Sequence, residues 1–113
     1  MTRITYDREE LRLEMEGHAG AGPKGADPVC AALSMLMLTL AARMREREEE
    51  TLPAVSQAPG RFMICCRPEE GEAALCRESF DTVAAGIAVL AENRPENITL
   101  TLTGEEAEEE DEE

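Results

Sequence analysis

Apolar and polar positions alternate from the first residues of the chain. In residues 2–7 (TRITYD) Ile4 and Tyr6 share one side, which predicts a short strand. Residues 7–10 (DREE) can turn. Residues 11–17 (LRLEMEG) then set Leu11, Leu13 and Met15 against Arg12, Glu14 and Glu16, predicting a second strand that pairs with the first as a hairpin. Carried one step further, the same parity puts His18 with the polar set, at a strand end and facing away from the core.

The period changes after Asp27 and Pro28. An aspartate is a good N-cap acceptor and proline suits the first helical position, so a helix is expected over about residues 28–49. Its first half is apolar nearly all round and its second half (RMREREEE) is charged. A helix apolar on all sides is covered on several sides, here by a sheet and by a partner subunit. LPAVSQAPG and RFMICCRP read as two short strands punctuated by Pro53, Pro59 and Gly60. Residues 70–92 predict a second helix, with Ala73, Cys76, Phe80, Val83, Ala84, Ile87 and Leu90 at helical spacing. NITLTLT predicts a last strand that buries Ile98, Leu100 and Leu102 on one face. The order ββαββαβ is an α+β domain, two helices packed on a mixed or antiparallel sheet.

Length and charge divide the chain unevenly. Its 113 residues suit one domain, and with two Phe, one Tyr and no Trp the core must be built from aliphatic side chains and Met. The net charge is -14, and residues 105–113 (EEAEEEDEE) hold eight of the 25 acids and no base. We therefore expect a single domain over residues 1–104 and a disordered acidic tail over 105–113 that aids solubility. An acidic chain is a poor partner for nucleic acid, which demands a basic footprint, whereas a basic peptide is tolerated.

The polar start MTRITYDREE is no signal peptide, and the longest apolar run (AALSMLMLTLAA) has 12 residues, too few to span a bilayer. A cytoplasmic protein with no membrane contact is the expectation. Its four cysteines, Cys30, Cys65, Cys66 and Cys76, are then free thiols. No metal or other cofactor is implied: there is no C-x-x-C pair, and Cys65 and Cys66 would point to opposite faces of a strand.

Candidate chemistry is concentrated in residues 16–34 (EGHAGAGPKGADPVCAALS), which hold the only histidine and, past a glycine-rich loop, Cys30. With Asp27 as N-cap, Cys30 falls in the first helical turn, where the helix dipole and unpaired N–H groups favour a thiolate. A nearby imidazole can take the thiol proton and return it to a leaving amine. The N–H groups free at the helix start can also serve an oxyanion. Ser34, four residues on, shares the helix face of Cys30, and either meets substrate or bonds back to the Cys30 carbonyl. Cys76 reads as core, Cys65 and Cys66 as strand, and Met35 and Met37 as packing.

Gly17-His18-Ala19, the glycine-bearing loop, and Asp27-x-Val29-Cys30-Ala31-Ala32-x-Ser34 together resemble the signature of the ribosomal-processing cysteine proteases, the Prp (YsxB-like) family. The resemblance implies a Cys–His protease with Cys30 as nucleophile and His18 as general base, and Gly17, Asp27 and Ser34 as supporting or substrate-binding positions. It implies as substrate the N-terminal extension of a large-subunit ribosomal protein, protein twenty-seven. It also implies a homodimer and a mobile loop, here residues 19–26, over the site. Pro28 departs from the pattern, standing where the family usually has a β-branched aliphatic residue, and it stiffens the junction between loop and cysteine. No Asn or second acid is placed by sequence to orient His18. The competing reading is a non-catalytic module of the same fold that binds a peptide or the ribosome. A redox-sensing thiol is a weaker third, since no resolving cysteine lies near Cys30 in sequence.

Overall fold

A computed structural model of the chain describes residues 1–23 and 25–104, so the acidic run of residues 105–113 lies outside the described residues. The elements are β1 (Thr2–Asp7), β2 (Arg12–Gly17), α1 (Pro28–Arg45), a single turn α2 (Glu48–Thr51), β3 (Pro53–Ala58), β4 (Arg61–Cys66), α3 (Ala73–Asn93) and β5 (Ile98–Thr103). A short 3₁₀ turn, Glu70–Glu72, leads into α3. The strands form one sheet in the order β3-β4-β2-β1-β5. Every neighbouring pair is antiparallel except β1 and β5, which run parallel. The fold is therefore the mixed-sheet α+β domain that the periodicities predict.

Alternation decides which face of the sheet is covered. Ile4 and Tyr6 of β1, Leu13 of β2, and Phe62 and Ile64 of β4 are buried beneath α1 and α3. The opposite face carries Arg12, Glu14, Glu16 and Arg61, and Arg61 pairs with Glu14 across strands at 2.8 Å. Leu11 belongs to the hairpin turn rather than to β2. It adopts φ 53, uncommon for a branched side chain, yet it is buried.

Tyr6 stacks on Phe80 of α3, and its hydroxyl donates to Asp81 at 2.7 Å. The Arg8 guanidinium grips the same carboxylate through two nitrogens. Burial, with the Asp81 carboxylate beside it, pushes the Tyr6 phenol far above the ordinary range. This group pins the end of β1 to α3.

Three expectations are corrected. First, α1 ends at Arg45 rather than near residue 49, because the buried Thr51 hydroxyl takes the Met44 carbonyl at 2.8 Å and folds the chain back. Leu52, at φ 47, then caps α2 and turns the chain into β3. Second, α1 is not buried on several sides within the chain. One stripe, running from Val29 to Met44, faces the sheet, while Met35 and Leu38 are 61% and 43% exposed. At 18 residues, α1 is long and apolar enough by length and composition alone to cross a membrane, so the short apolar run does not exclude a span. The stripe it buries against the sheet is what marks it as a core helix. Third, Leu102 is 51% exposed: on the edge strand β5, cover fades from buried Ile98 through half-buried Leu100 to Leu102.

Candidate active site

The site forms where the end of β2 meets the start of α1. Gly17, the last residue of β2, has φ +98, and a Cβ there would lie 2.5 Å from the Met1 carbonyl oxygen. Only glycine fits this bend without strain. Its N–H donates to the Gly60 carbonyl at 2.9 Å, which ties β2 to the β3–β4 turn. The bend delivers His18 to the surface, exposed, as the strand parity predicts. The next residue, Ala19, is buried.

At the far end of the loop, Asp27 caps α1 as its sequence position predicts. Its Oδ1 accepts from the N–H groups of Val29 and Cys30, both at 3.0 Å, and its Oδ2 accepts from Ala21 at 2.9 Å. The Cys30 N–H above all holds the Asp27 carboxyl below the usual carboxylate range. Pro28 occupies the first helical position, where its missing N–H costs nothing.

That capping corrects the expected source of an oxyanion hole. Pro28 has no N–H, those of Val29 and Cys30 belong to Asp27, and Ala31 donates to the Asp27 carbonyl at 3.0 Å. Among the described residues the N–H groups of Val29, Cys30 and Ala31 are thus all engaged. The donor that reaches the cysteine comes from the other side of the loop: the Ala19 N–H lies 3.4 Å from Cys30 Sγ.

His18, Cys30 and Ser34 border two adjoining cavities. The larger, about 560 Å³, is walled by the loop glycines, Asp27 and Pro59. The smaller, about 200 Å³, runs over Met15, Leu33 and Phe62, beside Gly17 and Gly60. Cys30 is half-buried at the junction. Among the described residues the Ser34 hydroxyl makes no hydrogen bond to the Cys30 carbonyl, unlike Thr39, Ser79 and Thr82, each of which bonds back four residues. Ser34 thus faces the cavities. Among the described residues no three His, Cys, Asp or Glu side chains gather as a metal-ligand group.

Two residues escaped the sequence reading. Gly60, at φ +74, lies under the imidazole: a Cβ there would be 3.3 Å from His18 Nε2. The Pro-Gly turn signal was visible, but its target was not. Asn97, buried between α3 and β5, donates through Nδ2 to the Ala19 carbonyl at 2.8 Å. No side chain among the described residues hydrogen-bonds the imidazole itself. Cys66 and Cys76 are buried away from the cleft, and Cys65 faces the other side of the sheet.

A family model described as "Cysteine protease Prp" matches residues 1–99. No curated protein sequence matches the chain at a significant level. Among solved structures, the essential ribosomal processing protease Prp from S. aureus, in complex with a covalently linked product peptide, aligns with a TM-score of 0.77. The identity is 22%, over 91% of this chain and all of that one. The same protease in complex with a substrate peptide aligns with a TM-score of 0.71 at 21% identity, over 91% and 100%. SMU.848 from Streptococcus mutans aligns at 0.65 and 26% identity, over 90% of this chain and 91% of that one.

Proposed function

The chain belongs to the Prp family of cysteine proteases, and on that premise we propose that it is an endopeptidase that removes the N-terminal extension of a large-subunit ribosomal protein, protein twenty-seven. Cys30 is its nucleophile and His18 its general base. The observation that carries the reading is the shared lining: an exposed imidazole and a half-buried thiol border the same two adjoining cavities. The S. aureus relative, crystallised with a covalently linked product peptide and with a substrate peptide, supports a peptide as the substrate class.

In this reading His18 takes the thiol proton of Cys30, and the sulfur adds to the scissile carbonyl carbon. The imidazolium then gives its proton to the leaving amine as the C–N bond breaks, which leaves a thioester on Cys30. Water, deprotonated by His18, hydrolyses the thioester and restores the thiol. The loop glycines can part to admit the chain and close over it. Ser34 faces the bound peptide, and Asp27 holds the loop against the helix start. A homodimer belongs to the same proposal, supported by the exposed Met35 and Leu38 on the outer side of α1.

The test is cleavage of a peptide that spans the extension junction. Wild-type protein should cut it, and Cys30→Ala and His18→Ala should not. Unimpaired cleavage by Cys30→Ala would overturn the assignment. Tight binding without cleavage by wild type would instead favour the non-catalytic binding module.

A further inference from the structure

We propose that the backbone N–H of Ala19 is the oxyanion donor of the reaction and that Asn97 is the residue that positions it; the inference rests on the protease reading above. A tetrahedral intermediate on Cys30 places a negative oxygen one carbon from the sulfur. A donor for it must therefore lie close to Sγ, within hydrogen-bond reach of that oxygen. The helix N–H groups nearest the cysteine, those of Val29, Cys30 and Ala31, are taken up by Asp27. The Ala19 N–H points at Sγ from 3.4 Å.

Both peptide planes that flank the Ala19 Cα are fixed. The amide before it contains the Ala19 N–H and the His18 carbonyl, which lie on opposite sides of a trans peptide. That carbonyl accepts from the Met1 amino group at 2.6 Å, so the N–H is turned the other way, toward the sulfur. The amide after it contains the Ala19 carbonyl, held by Asn97 Nδ2 at 2.8 Å. Asn97 is itself immobilised. It is buried, its carbonyl accepts from Thr2 at 2.8 Å, and its N–H donates to Arg94 at 2.9 Å. A rigid donor that needs no reorganisation during reaction is the arrangement that stabilises developing charge best.

The charge then moves along one donor. In the free enzyme the Ala19 N–H serves the sulfur. As the S–C bond forms, the carbonyl π pair passes to oxygen and the N–H follows the charge from sulfur to oxygen. When the C–N bond breaks and the amine takes the His18 proton, the C=O bond re-forms and the donor is released.

Cys30 makes a direct test practical, since it is a natural ligation point. Synthetic residues 1–29, as a thioester, can be joined to residues 30–113, and lactic acid in place of Ala19 replaces the N–H by an ester oxygen and keeps the side chain, weakening besides only the His18 carbonyl as an acceptor. The ester protein should lose about 100- to 1,000-fold in kcat, the effect of deleting one oxyanion donor, with KM little changed. A peptide aldehyde, which forms a tetrahedral adduct with the thiol, should lose affinity in parallel, while the matching peptide alcohol should bind as before. Asn97→Asp, which keeps the shape but lacks the amide donor, should move kcat and aldehyde affinity in the same direction by a smaller factor.

An ester protein that keeps its kcat, or that loses aldehyde and alcohol affinity equally, overturns the proposal. Should the all-amide ligated protein cleave no peptide, the protease reading falls instead. The donor is then judged on the aldehyde alone: a weaker adduct in the ester protein sustains it, and an unchanged one sinks it.

Discussion

The imidazole of His18 rests on the backbone of Gly60, close enough that a Cβ on Gly60 would come within 3.3 Å of Nε2. The β3–β4 turn is therefore the floor under the candidate base. Gly60→Ala should push the ring aside and lower kcat by about tenfold or more, since small displacements of reacting groups are costly. Its positive φ adds about 1–2 kcal/mol of backbone strain, readable as a lower denaturant midpoint. Full activity in a variant that is only less stable would mean that the ring position does not matter.

Gly17 and Gly20 separate conformational strain from steric clash. Both have positive φ, but a Cβ at Gly17 meets the Met1 carbonyl oxygen at 2.5 Å, whereas a Cβ at Gly20 meets nothing within 4 Å. Gly20→Ala should cost about 1 kcal/mol, and Gly17→Ala at least 1–2 kcal/mol beyond that, as the strand end or the N-terminal residue has to move. Urea unfolding of the two variants side by side measures the difference. Equal losses would show that Met1 yields freely.

The four thiols should differ sharply toward iodoacetamide at neutral pH. Cys30, half-buried on the cleft, should label first. Cys66 and Cys76 should label last, since both are buried, and burial pushes the Cys66 thiol up to about 12 and the Cys76 thiol upward as well. Peptide mapping after timed quenching gives the order. If Cys76 labels as fast as Cys30, Cys76 is not buried between α3 and the rest of the core as described.

Tyr6 is the only tyrosine and the chain has no tryptophan, so phenolate absorbance reads one residue. Its folded-state value is raised by burial and by Asp81, while the unfolded chain should titrate near 10. The contribution of this group to stability is thus complete below about pH 10 and is lost as pH rises toward the folded value. Native protein should show no phenolate signal until it unfolds in strong base. Asp81→Asn should bring ionisation to lower pH. A free titration near 10 in the native wild type would contradict the Tyr6–Asp81 contact.

Local physics was legible in the sequence. The β1–β2 alternation, the Asp27-Pro28 helix start, the stripe on α3 and the surface position of His18 each depend on neighbours within a few residues. Sequence patterns carry that information well. The helix break after Arg45 was hidden because it depends on Thr51 reaching back to Met44, a contact with no periodic signature. Leu102 looked like core because alternation says which face a residue takes, not how far the covering helix extends. The occupied N–H groups at the start of α1 follow from Asp27 as a cap, but the donor that replaces them does not. Its placement joins residue 19 to residue 97, and nothing in either neighbourhood announces the other.

That last contact gives the chain an order of completion. The thiol and the imidazole lie twelve residues apart and emerge early in synthesis, whereas Asn97 sits just before the final strand. A growing chain that has not reached residue 97 carries both reactive groups without the amide that grips the Ala19 carbonyl, and β1 still lacks its parallel neighbour. The grip on the Ala19 carbonyl therefore enters the fold only with the final tenth of the described residues, beside the strand that completes the sheet.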